Sequence, residues 1–92
     1  MSHPIGFTKR DRLEVAFVEA DVEIGFNLVD MAQAEFERGN PLIATRVIED
    51  AEDVFKDIQQ RLDRMGPTEH GHFAALVCEL RREIDGLHHQ LG

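Results

Sequence analysis

The chain has a single cysteine, Cys78, so no disulfide can close within it. A lone thiol points to a reducing compartment. Tryptophan and tyrosine are absent, and the apolar load falls on leucine, isoleucine, valine, alanine and six phenylalanines. Proline occurs three times, and two of these, Pro41 and Pro67, stand directly after Gly39-Asn40 and Gly66. Basic residues are scarce: 10 Lys and Arg oppose 18 Asp and Glu, for a formal net charge of −8. That balance argues against nucleic acid and anionic membrane surfaces, which need concentrated positive charge. No stretch approaches the ~20 continuous apolar residues of a membrane span. Met1 to Thr8 lacks an apolar run fit for a signal peptide, so the expected location is the cytoplasm. There is no glycine-rich phosphate loop, no serine-centred nucleophile turn and no carboxylate dyad. The expectation is a protein without catalytic activity and without a cofactor.

What is present is helical periodicity. No segment alternates with period two over a useful length, so no sheet is expected. With 92 residues the chain forms one domain, residues 8–92, after a loose arm at 1–7 that holds Pro4 and Gly6. Thr8 is the expected cap of a first helix, with Asp11 reaching back to it, and the helix runs to Arg38. Gly39 supplies a left-handed stop. Asn40 caps the next helix and Pro41 takes its first position, so the link is short and the two helices are antiparallel neighbours. Helix 2 is expected from Pro41 to about Met65 and helix 3 from about Pro67 or Glu69 to about His89. Gly66 ends the second, and Gly66 or Thr68 caps the third. The fold class is therefore all-α, a three-helix antiparallel bundle: a helix–turn–helix hairpin plus a third helix.

Helix 2 is apolar on one side, through Ile43, Ala44, Val47, Ile48, Ala51, Val54, Phe55, Ile58, Leu62 and Met65. Helix 3 carries one stripe, Phe73, Leu76, Val77, Leu80, Ile84, Leu87 and Leu91. Helix 1 carries two, roughly half a turn apart. Leu13, Phe17, Ala20, Ile24, Leu28 and Met31 make one; Val15, Val18, Val22, Phe26, Val29 and Phe36 make the other. One stripe suffices for the core of a small domain, and the other would leave several hundred Å² of apolar surface in water. The valine-rich set, Val15, Val18, Val22, Phe26, Val29 and Phe36, is the expected interface of a homodimer, with the opposite stripe facing inward. The roles of the two stripes are interchangeable on this reading. A central helix 1, sandwiched between helices 2 and 3, is the alternative. Gly25, in mid-helix, is expected to allow close approach of another backbone or a bend.

Leu28, Met31 and Ala32, then Gly39 and Asn40, then Ala44, Ile48 and Ala51 give residues 28–56 a likeness to a known helical hairpin. This third of the chain resembles a tetratricopeptide-type repeat, with Glu35 where that pattern has a large apolar residue and Phe36 one place off. The resemblance implies a scaffold or peptide-binding role without catalysis.

Glu69 and His72 have the Glu-x-x-His spacing that places both on one side of a helix, as in di-iron carboxylate bundles. In a symmetric dimer they would form a metal-binding alternative. In one chain a first-turn glutamate is ordinary helix-dipole placement. His88 and His89 read as solvated residues of a last turn, and Cys78 as a small, partly buried residue beside Ala74. Glu49, Asp53 and Asp57 form a like-charged ridge, which allows a third reading, an acidic inhibitor or immunity-type protein that meets a basic target. The leading expectation is a small interaction or scaffold module that self-associates through helix 1.

Overall fold

The computed structural model describes residues 9–91. The expected arm at 1–7 and the Thr8 cap lie outside the described residues. Three helices follow one another: α1 (Lys9–Glu37), α2 (Pro41–Asp63) and α3 (Pro67–Leu91). Each packs against the other two, as an all-α three-helix bundle, and there is no strand among the described residues.

The link between α1 and α2 forms as its residues require. Gly39 adopts φ 84°, the only positive φ among the described residues. The Gly39 amide donates to the Phe36 carbonyl (3.1 Å) and the Asn40 amide to that of Glu35 (2.8 Å). These are the paired bonds of a glycine-terminated helix end. Pro41 then opens α2. Asn40 holds the cap position but its side chain does not bond an α2 amide. Its amide Nδ2 donates instead to Glu35 Oε1 at 3.2 Å, tying the turn back to α1.

The second link corrects an expectation. α2 stops at Asp63, before Met65, and Gly66 is not left-handed. The Arg64 and Met65 amides close tight bonds to the Arg61 and Leu62 carbonyls. Gly66 serves α3 instead, its carbonyl accepting from the His70 amide at 3.1 Å. α3 continues to Leu91, two residues beyond the expected end.

The core contains Val18, Val22, Val29 and Ala32 from α1, Ile48, Ala51, Phe55, Ile58 and Leu62 from α2, and Phe73, Leu80, Ile84 and Leu87 from α3. This corrects the assignment of the α1 stripes. The valine-rich set faces α2 and α3 of its own chain: Val18, Val22 and Val29 are buried, and Val15 and Phe26 are partly buried against them. Phe36 is half-buried near the turn. The physical reason is side-chain size. Gly25 and Ala32 lie on the valine side of α1, which makes it the flatter side and lets neighbouring helices approach closely. A Cβ added at Gly25 would stand 2.8 Å from Leu80 Cδ2, so α3 fills the space that the glycine leaves. A leucine side chain, not another backbone, makes this close approach. The central arrangement of α1 is not adopted either, because α2 and α3 also meet directly: Arg81 of α3 bonds Glu52 of α2 at 2.8 Å.

Candidate interaction surface

The opposite stripe of α1 is left in solvent. Leu13, Phe17, Ile24 and Met31 are 52%, 49%, 46% and 54% exposed. Ala20 is exposed between them, and Leu28 is partly buried at the edge toward the core. Ile43 and Leu42 at the start of α2, and Leu76 on α3, are also exposed. Single exposed apolar side chains are common on any protein. A row along one side of one helix is a patch, and patches of this kind mark contact surfaces.

One arginine braces this surface from the adjoining helix. Arg61 of α2 lies between Glu14 (3.4 Å) and Asp21 (3.3 Å) of α1. Its guanidinium carbon is 4.9 Å from the centre of the Phe17 ring. Residues 14, 17 and 21 are successive positions on one side of a helix, so one arginine meets all three. The cation is attracted to the ring face and to both carboxylates.

A second brace joins α2 to α3. Arg81 bonds Glu52 and Asp85 (2.6 Å) and lies 4.8 Å from the centre of the Phe55 ring. His88 Nε2 stands 3.1 Å from Glu52 Oε2. His88 is therefore not merely a solvated terminal residue; it faces a carboxylate on α2. The Arg81 hydrogen bond holds the Glu52 carboxyl below the ordinary glutamate range. Arg81 is held more firmly protonated in turn, chiefly by the Glu52 bond. Glu83 is pushed the other way, first by burial and then by the nearby charges of Glu79 and Asp30.

The other residues singled out from sequence are dispersed. Glu69 and His72 both border a hollow of about 300 Å³ with Val15, Thr68 and Phe73. The His72 ring makes an edge contact with Phe73, centroids 4.9 Å apart. No group of three or more His, Cys, Asp or Glu side chains is gathered around a metal position among the described residues. Cys78 is exposed, which corrects the expectation of partial burial. It borders an open hollow of about 450 Å³ between α2 and α3, with Phe55, Leu62, His70 and Arg81. Glu49, Asp53 and Asp57 are exposed along the outside of α2. No described helix is long and apolar enough to cross a membrane.

Sequence reasoning found both α1 stripes but missed Arg61 as the residue that braces one of them. Its signal was available, since Glu14 and Asp21 flank Phe17 at helical spacing, but the register of α2 against α1 was not. No protein-family model matches the chain, and no curated protein and no solved structure matches it significantly.

Proposed function

We propose that the protein is a small, non-catalytic interaction module that self-associates through the exposed apolar stripe of α1. The observation that carries this reading is the half-exposure of Leu13, Phe17, Ile24 and Met31 on one side of one helix, while the core closes without them. The hydrophobic effect favours removing such a patch from water. A stripe along one side of a helix is matched most simply by the same stripe on a second copy across a two-fold axis. The likeness of residues 28–56 to a scaffold repeat points to the same class of role. An exposed free thiol, Cys78, supports a cytoplasmic setting.

Light scattering across a concentration series tests the reading. The protein should pass from monomer to dimer in the micromolar range, and Ile24→Asp should remain monomeric with unchanged helix content. A monomer at all concentrations, or an unimpaired Ile24→Asp dimer, overturns it.

A further inference from the structure

The exposed face of α1 has a regular size pattern. Leu13, Phe17, Ala20, Ile24, Asn27, Met31 and Ala34 follow one another at alternating steps of four and three residues. That is the spacing of a coiled-coil seam. Phe17, Ile24 and Met31 occupy one seam position, all large; Leu13, Ala20, Asn27 and Ala34 occupy the other, where Ala20 and Ala34 are small, Asn27 is polar and only Leu13 is large and apolar. All but Ala34, which is half-buried, are exposed.

We propose that a second copy of this chain occupies the seam in antiparallel orientation, with the two-fold axis passing near Gly25 and Phe26. The proposal rests on the self-association argued above and adds its direction and register. In a parallel pair each seam position meets its own copy, so Phe17 would crowd the partner's Phe17 and Ala20 would leave a gap at the partner's Ala20. In the antiparallel pair the two seam positions mate with each other. Phe17 then faces the partner's Ala34, Met31 the partner's Ala20, and Ile24 the partner's Asn27. The Phe17 and Met31 layers set large against small, which lets them interdigitate without voids, while Ile24 meets a polar side chain and Leu13 lies opposite the partner's Arg38 at the end of the seam.

Area points to the same occupant. The half-exposed side chains and the small residues between them present roughly 500 Å² per protomer, so pairing removes about 1,000 Å², near the lower bound for a specific interface. Along the flank facing away from α2, the residues beside the seam are Ala16, Glu23, Asp30 and Glu37. Antiparallel pairing sets Glu37 beside the partner's Ala16, so no like charges meet at the ends of that flank. In the middle of that flank Glu23 meets the partner's Asp30, and this repulsion keeps the association weak and reversible. Glu14 and Asp21, on the other flank, are already matched by Arg61.

Cross-linking reads the direction. In a Cys78→Ser background, Ala20→Cys and Met31→Cys are made separately, and each is oxidised alone and mixed with the other. A disulfide needs Cα atoms within about 7 Å. In the proposed pair identical positions lie about 16 Å apart along the axis, and only the mixed pair is opposed. Dimer bands from the mixture alone are expected. Bands from either variant alone overturn the direction, while leaving self-association standing. A dimer by light scattering with no band in any sample overturns the register. A monomer by light scattering overturns both this inference and the reading it rests on. Glu23→Lys is a second test that needs no cysteine: it turns two repulsions into two attractions and should tighten the dimer about fivefold. In a parallel pair that position lies beside the partner's Leu28, so an unchanged or weaker dimer also overturns the antiparallel pair.

Discussion

The Arg61 guanidinium of α2 covers the ring of Phe17 on α1, 4.9 Å from its centre, and turns a half-exposed aromatic into part of the α1–α2 contact. A double-mutant cycle of Arg61→Met and Phe17→Leu should give a coupling of about 0.5–1 kcal/mol in urea unfolding. The two carboxylates beside Arg61 are partly solvated, so they add little each. Strict additivity would show that the stacked geometry contributes nothing.

The two faces of α1 differ sharply in what they tolerate. Val22→Asp puts a charge into the core and should cost more than about 3 kcal/mol, enough to unfold a domain of this size. Ile24→Asp, on the opposite side, should lie within about 1 kcal/mol of the parent under conditions where both are monomeric. Circular dichroism during urea unfolding distinguishes the two. Equal losses would contradict the burial of one stripe and the exposure of the other.

Glycines in the same bundle should respond to alanine in opposite directions. Nothing stands within 4 Å of a Cβ at Gly86 in α3, so Gly86→Ala should gain about 0.5–1 kcal/mol from helix propensity alone. At Gly25 the added methyl meets Leu80 at 2.8 Å, and Leu80 is fully buried with little room to move. The overpacking should outweigh the propensity gain, leaving Gly25→Ala less stable by about 1 kcal/mol. Thermal unfolding of both variants decides the matter, and a stabilised Gly25→Ala would show that the α1–α3 contact is loose.

Two glutamates on neighbouring helices predict opposite pH behaviour. Glu52 is lowered by its Arg81 hydrogen bond, so its stabilisation is complete above the ordinary glutamate range and is lost as pH falls through its folded-state value. Glu52→Gln should therefore be less stable at neutral pH and should flatten this part of the acid limb. Glu83 is raised by burial and by Glu79 and Asp30, so its ionised form opposes folding. Glu83→Gln should raise the melting temperature at pH 7, and the gain should vanish below about pH 4, where both states are protonated. A neutral-pH loss in Glu83→Gln would reverse the assigned sign.

Much of this architecture is legible one residue at a time. Gly39 announces its left-handed stop because few other residues take that conformation freely. Pro41 announces the start of α2 because proline suits only a first turn. The helix end near Gly66 was less legible, because glycine suits both a C-terminal stop and an N-terminal cap. At the link it became the cap of α3. Asn40 misleads in the same way: its side chain can cap α2 or bond Glu35, and the nearby carboxylate took it.

Local composition by itself determined three helices, their order, their tight links and the presence of two apolar stripes on α1. Those follow from period, caps and breakers, all of which act over a few residues. Which stripe lies inside was a tertiary decision. Both stripes are apolar enough to be buried, so hydrophobicity alone cannot choose between them. Packing can, because Gly25 and Ala32 leave the valine side flat enough for α2 and α3 to close on it and for Leu80 to fill the space over Gly25. The bulkier row from Leu13 to Met31 was left outside, where Arg61 covers Phe17 and the rest meets solvent.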